Sequence, residues 1–252
     1  MYYVMSEREN LVSFLPQGAV GAEIGVAQGD FSQVLLDRAR PARLHLIDPW
    51  SHLEADDRNP RAYLDAVALS PGAFSPPAYN QLGDQQYQAA CQRFADRPAA
   101  VITRQFSYKA VREFPDRYFD FIYIDGNHAY EYVLQDLLDF APKVKDDGLI
   151  MGHDFFEDAF ASEQGYGVID AVNRFLRRTN DRGYRLICLT YEPFSSYVIA
   201  RADSGFAGGF LTNLLESDVF VLEVAEDQAF RYIDRHYSRQ DGRVRRIPSF
   251  AS

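Results

Sequence analysis

The stretch AVGAEIGVAQGDFSQVLLDRARPARLHLID, residues 19–48, decides the fold. Ala19–Val26 is an apolar run of strand length, Phe31–Ala39 carries apolar residues at helical spacing, and Arg43–Asp48 returns to a short apolar run. Strand, helix and strand in so few residues make one βαβ unit. Its two strands run parallel, because the helix carries the chain back across the sheet.

Outward from this unit the alternation continues. A helix is expected near Asp84–Ala95, a strand over Ala99–Arg104 and a short helix around Tyr108–Glu113. FDFIYID, Phe119–Asp125, is apolar on both faces, as a central strand covered by two layers must be, and the helix Tyr130–Phe140 follows it directly. DGLIMGHD, Asp147–Asp154, is the next strand, and Val168–Arg178 the next helix. Only EPF separates the last pair of strands, Tyr184–Tyr191 and Ser195–Arg201, too little for a crossover, so they form a hairpin and one terminal strand is reversed.

The whole reads as an α/β, Rossmann-like fold with helices on both faces of a mostly parallel sheet. Residues 1–201 are taken as this domain and 202–252 as a C-terminal extension. That extension holds a helix with Phe210, Leu214 and Leu215, the run VFVLEV, and a helix through Phe230 and Ile233. Residues of about 51–80, with PGAFSPPAY, are too rich in Pro and Gly for a regular element throughout; they read as an inserted lid carrying Phe74 and Tyr79.

The formal net charge of −10 repels a polyphosphate backbone, so no nucleic-acid partner is expected. The short basic cluster Arg243, Arg245 and Arg246 reads as a solvated tail. Cys91 and Cys188 are the only cysteines and supply no disulfide framework. The opening residues, MYYVMSEREN, lack a basic segment leading into an apolar one, and no apolar run approaches the ~18 residues of a membrane helix. A cytoplasmic chain with no membrane partner is the expectation.

Chemistry-bearing residues gather at strand ends. Glu23, Gly25 and Gly29 stand where the first strand turns into its helix, where backbone can approach a ligand and helix N–H groups can face it. Three residues separate the glycines, unlike the G-x-G-x-x-G of a nicotinamide-binding turn. Asp48 ends the second strand, where a carboxylate can accept both ribose hydroxyls of an adenosine-containing cofactor; before Pro49 it would also serve as a strand stop. Asp125 and His128 follow the central strand, and His153 and Asp154 follow its neighbour, so four polar residues distant in sequence can converge on one cleft.

Glu23, Gly25, Gly29 and Asp48, in that order, resemble the class I S-adenosylmethionine-dependent methyltransferases. The resemblance covers roughly Gly18–Arg201 and implies a seven-stranded, mostly parallel sheet with a reversed terminal hairpin strand. LIDPW, IDGNHAYEYV and GLIMGHDF are further similar to the bacterial group that includes the macrocin-type O-methyltransferases of antibiotic sugars.

That resemblance implies S-adenosylmethionine as cofactor, held by Glu23, Gly25, Gly29, Asp48, Ser107 and Asp125. Gln105, Phe106 and Ser107 follow the third strand, where the family contacts adenine. Metal-dependent members hold magnesium on positions that here are Asp125, His153 and Asp154. Imidazole is a poor ligand for magnesium, so this chain departs from the pattern at His153, and metal-free transfer or another divalent metal stays open. An imidazole is the side chain suited to taking up a proton near neutrality, and His128 is the candidate catalytic base beside Asp125. The expected acceptor is a hydroxyl of a small molecule, a sugar or a natural product.

Two other readings stand beside this one. A non-catalytic S-adenosylmethionine-binding protein would account for His153 interrupting the acidic pair. A nicotinamide-dependent oxidoreductase shares the strand-end acid but needs the glycine fingerprint and a parallel last strand. Apolar surface on the insertion and tail would suit a homodimer.

Overall fold

The computed structural model describes residues 1–51, 76–163, 165–224, 233–238 and 244–249. In chain order the strands are β1 (Tyr2–Val4), β2 (Val20–Ile24), β3 (Arg43–Asp48), β4 (Ala100–Arg104), β5 (Phe119–Ile124), β6 (Val144–Gly152), β7 (Tyr184–Thr190), β8 (Tyr197–Arg201) and β9 (Val221–Glu223). They form one sheet in the order β4-β3-β2-β5-β6-β8-β7-β1-β9. From β4 to β6 every pairing is parallel. Strand β8 runs antiparallel to both neighbours, so the reversed strand lies inside the sheet, between β6 and β7.

The sheet therefore has nine strands where seven were expected. The additional ones are β1, parallel to β7, and β9, antiparallel to β1. Each is three residues long, too short to show an alternating pattern. A further difference lies in the tail: Ile233, expected in a helix, opens strand β10 (Ile233–Ser238), which pairs with β11 (Val244–Ser249). Pairing with a nearby partner overrides a short-range helical preference. Phe230 lies outside the described residues.

Burial on both faces explains the apolar strands. In β5, Phe121 and Tyr123 join one core cluster, whereas Ile122 and Ile124 join the other, on the opposite face. Phe140, at the end of the helix Tyr130–Phe140, and Phe175, from Val168–Arg178, fill one side; Phe31, from Asp30–Val34, and Phe210, from Gly205–Leu215, fill the other. Phe121 is fully buried, and its truncation to Ala would cost about 3–5 kcal/mol.

The helix expected from Asp84 begins earlier, at Pro76, and runs to Arg93. Two prolines open it, in the turn whose N–H groups have no helical acceptor. The rest of the expected insertion, residues 52–75 with Phe74, lies outside the described residues. Part of the expected extension joins the main sheet: Asn213 Nδ2 donates to the Phe14 carbonyl at 2.9 Å, and β9 extends the edge. No helix among the described residues is long and apolar enough to cross a membrane.

Candidate active site

Parallel strands end at one edge of the sheet, and there the loops after β2, β3, β4, β5 and β6 present Gly25, Asp48, Gln105, Asp125 and the pair His153–Asp154. Because β1 and β7 run the same way, the segments after them reach this edge too. They bring Arg8 and Glu192, which no motif in the sequence signals.

At the first turn, Gly25 has φ of +91° and its N–H donates to the Ile47 carbonyl at 2.9 Å. A side chain there would run into the Asp125 carbonyl, so the glycine is what lets β2 leave the sheet against the loop after β5. Gly29, at φ +86°, begins the next helix, and a Cβ would lie 2.6 Å from the Phe94 ring. The close approaches that these glycines permit are thus to protein.

Asp48 stitches this turn to its own loop. Its Oδ2 accepts from the N–H groups of Val26, at 2.8 Å, and Ala27, at 3.0 Å; Oδ1 accepts from Trp50 N–H at 2.6 Å. With about two lone pairs per carboxylate oxygen, Oδ1 keeps room for one further donor. Glu23, expected to touch the cofactor, is instead 1% exposed and bonded to the Ser32 hydroxyl. Burial pushes its carboxyl well above the usual range, and its bond from Ser32 ties β2 to the helix Asp30–Val34.

Ser107 does not cap the helix Ser107–Ala110; its hydroxyl donates to the buried Asp136 at 2.6 Å. Its neighbour Gln105 is different. The Gln105 N–H donates to the Asp48 carbonyl at 3.1 Å, while its side-chain Oε1 is buried without a hydrogen-bond partner. A buried acceptor left unpaired costs about 1–3 kcal/mol, which a donor on a ligand would recover. One open position on Asp48 and one orphaned acceptor on Gln105 fit the ribose and the exocyclic amino group of an adenosine cofactor.

Beside the turn lies a cluster of opposite charges. His128 Nδ1 is 2.7 Å from Asp154 Oδ2, and His153 Nδ1 lies 3.4 Å from Asp154 Oδ1 and 3.5 Å from Asp125 Oδ1. Arg8 Nη1 meets Asp125 Oδ2 at 2.7 Å. Asp154 adopts the left-handed region, φ 58°, which Asp tolerates better than most residues. The Tyr166 ring stacks on His128 with centroids 4.6 Å apart.

These contacts set the charges. Burial would lower the His153 imidazole, but the carboxylates of Asp125 and Asp154 outweigh it and hold its pKa up at about 9. Burial would likewise raise Asp154, yet His128 and His153 hold it below the usual carboxylate range. Among the described residues, the group able to offer ligand atoms to one metal ion is Asp125, His128 and Asp154, all within 4.8 Å of one another. His153, expected as a ligand, lies outside that group, its Nδ1 3.4 Å from Asp154 Oδ1 and 3.5 Å from Asp125 Oδ1, and His128, expected as the base, lies within it.

Residues 22–155, more than half of the chain, match the family described as Methyltransferase domain. The fold also aligns with solved structures. One is a putative rRNA-methylase from Clostridium thermocellum, with a TM-score of 0.51 and 10% identity over 78% of this chain and 94% of that one. Another is the N-methyltransferase NodS from Bradyrhizobium japonicum WM9 in complex with S-adenosyl-L-homocysteine, with a TM-score of 0.50 and 13% identity over 77% and 85%. No curated protein sequence matches the chain. The family match covers the turn at Gly25, Asp48 and the cluster at Asp125 and Asp154, and this chain belongs to the Methyltransferase domain family, with the class I, S-adenosylmethionine-dependent fold.

Proposed function

We propose that the chain is an O-methyltransferase that acts on a hydroxyl of a small molecule, such as a sugar or other hydroxylated natural product, as the macrocin-type enzymes do. The observation that carries this reading is the His128–Asp154 pair at 2.7 Å. With its Nδ1 proton directed to Asp154, the imidazole keeps the Nε2 lone pair as a proton acceptor, and the carboxylate stabilises the imidazolium that forms.

S-adenosylmethionine, when bound, supplies a methyl group activated by a sulfonium. Asp48 and Gln105 hold the adenosine end in this reading. As the acceptor oxygen bonds to the methyl carbon and the carbon–sulfur bond breaks, the hydroxyl proton passes to His128 Nε2. The protein's task is chiefly alignment and timing of that proton.

A second reading, transfer assisted by a divalent metal, is favoured by the ligand atoms of Asp125, His128 and Asp154 lying within 4.8 Å of one another. A carboxylate–imidazole set of this kind suits manganese, iron or zinc better than magnesium. There the metal would lower the pKa of the acceptor hydroxyl in place of a free imidazole.

An acceptor screen tests both. Release of S-adenosylhomocysteine is measured with sugars, polyols and catechols, with amines as controls, in chelator and in added Mg²⁺, Mn²⁺ or Zn²⁺. Turnover of hydroxyl acceptors in chelator supports the imidazole reading. Turnover only with metal supports the second, and turnover of amines alone contradicts O-methylation.

A further inference from the structure

We propose that the groove lined by Tyr130, Asp170, Arg174, Arg177 and Arg178 binds a phosphate group carried by the acceptor, so that the acceptor is a phosphorylated sugar or polyol. The proposal rests on the O-methylation reading above and names the substrate class of that same site.

The groove has a volume of about 450 Å³, within the range of sites for small molecules. Its three arginines all come from the helix Val168–Arg178, at positions three and four apart, so they share one face. Like charges at that spacing repel one another, and among the described residues none of the three forms an ion pair, even with Asp170 in the same groove. Arg93, Arg97, Arg104 and Arg201, by contrast, each meet an aspartate. The helix dipole accounts for Arg177 and Arg178 in the last turn but not for Arg174 before it. On a chain with a net charge of −10, three positive side chains and one negative in one groove are a local reversal of sign. That surplus matches a phosphate dianion, whose oxygens suit guanidinium forks, and the Tyr130 hydroxyl is a further donor.

Tyr130 ties the groove to the candidate active site. It follows His128 by two positions and packs on Gly167, where a Cβ would lie 2.6 Å from its own. The Gly167 N–H donates to the His128 carbonyl at 2.9 Å. From Gly167 the helix carries Arg174 ~10 Å along its axis, and helical side chains lean back towards the N-terminus, here towards His128. That span suits a sugar mono- or diphosphate with its hydroxyl at His128 and its phosphate among the arginines.

Calorimetric titration of the full chain with inorganic pyrophosphate tests the groove without any turnover. The unaltered chain should bind at submillimolar concentration, Arg174→Gln and Arg177→Gln should each weaken binding about tenfold, and the two together about a hundredfold. Arg112→Gln, which removes an exposed positive charge elsewhere, should leave pyrophosphate within about twofold, and S-adenosylhomocysteine affinity should hold equally well in every variant. With sugar phosphates and the matching free sugars as acceptors, Arg174→Gln and Arg177→Gln should raise KM for the phosphates about tenfold at unchanged kcat and leave the free sugars unaffected. The proposal is overturned by a chain that ignores millimolar pyrophosphate, by binding that survives both substitutions or falls equally with Arg112→Gln, and by free sugars serving as well as their phosphates. Turnover of amines alone, with pyrophosphate still held by the arginines, marks the failure of O-methylation itself and removes the proposal with it.

Discussion

His45 lies within the sheet and His153 just beyond the end of one of its strands, both largely shielded from water, and their surroundings drive them in opposite directions. His45, in the middle of β3, is 7% exposed and ringed by Phe114, Tyr118 and Phe119, with centroids 4.9, 5.6 and 5.7 Å away. Its Nε2 meets the Tyr118 hydroxyl at 3.1 Å. Burial, helped by Arg43, lowers its pKa to about 4. His153, at the carboxyl end of β6, faces Asp125 and Asp154 and rises to about 9. Burial alone thus decides little. Rings hold an imidazole neutral and build the core, whereas carboxylates hold one charged and build a site that can move protons.

The largest expected effect breaks the charged region. Asp154→Asn keeps a residue at ease at φ 58° but removes the charge that orients His128 and stabilises its protonated form. Turnover should fall about 10²- to 10⁴-fold, while calorimetric affinity for S-adenosylhomocysteine stays within about threefold. A rate near that of the unaltered enzyme would reduce the cluster to a structural ion pair.

The two histidines should also leave opposite marks on stability, read from urea midpoints across pH. His45 has a folded pKa below its ordinary 6.5, so the unfolded chain takes the proton first as pH falls; stability drops between about 6.5 and 4, and His45→Gln should flatten that slope. His153 has a raised folded pKa. Its contribution is complete below about 6.5 and is lost as pH rises towards about 9, and His153→Gln should flatten that window alone. Slopes of the same sign would break the comparison.

The smallest effect concerns the ring-lined region. Tyr118→Phe deletes the hydroxyl beside His45 Nε2 and should cost about 1 kcal/mol of stability with turnover unchanged. A change in turnover would tie this end of the sheet to the chemistry.

Much of this was legible in the sequence, and what was not has physical causes. The βαβ unit of residues 19–48, the central strand and the reversed hairpin all show in apolar periodicity, because each is long enough to repeat its pattern. Strands of three residues, Tyr2–Val4 and Val221–Glu223, have no period to read. Asp125 and Asp154 were visible because strand ends converge. Arg8 was not, since its partner lies 117 positions away and nothing local marks it. Glu23 carried a signal that went unused. Ala22 and Ile24 face one core, so Glu23 must face the opposite one, where it meets Ser32. That His128 rather than His153 joins Asp125 and Asp154 within 4.8 Å is a matter of side-chain placement at the strand ends, which the sequence does not announce.

The central claim is that His128 accepts the acceptor's proton at this edge of the sheet. Its most direct test measures S-adenosylhomocysteine release by the unaltered chain and by His128→Ala, with an acceptor that the unaltered chain methylates, together with the affinity of each for S-adenosylhomocysteine. The account predicts a rate lower by about 10²-fold or more, with affinity within about threefold. An unchanged rate would contradict it and remove His128 from the reaction.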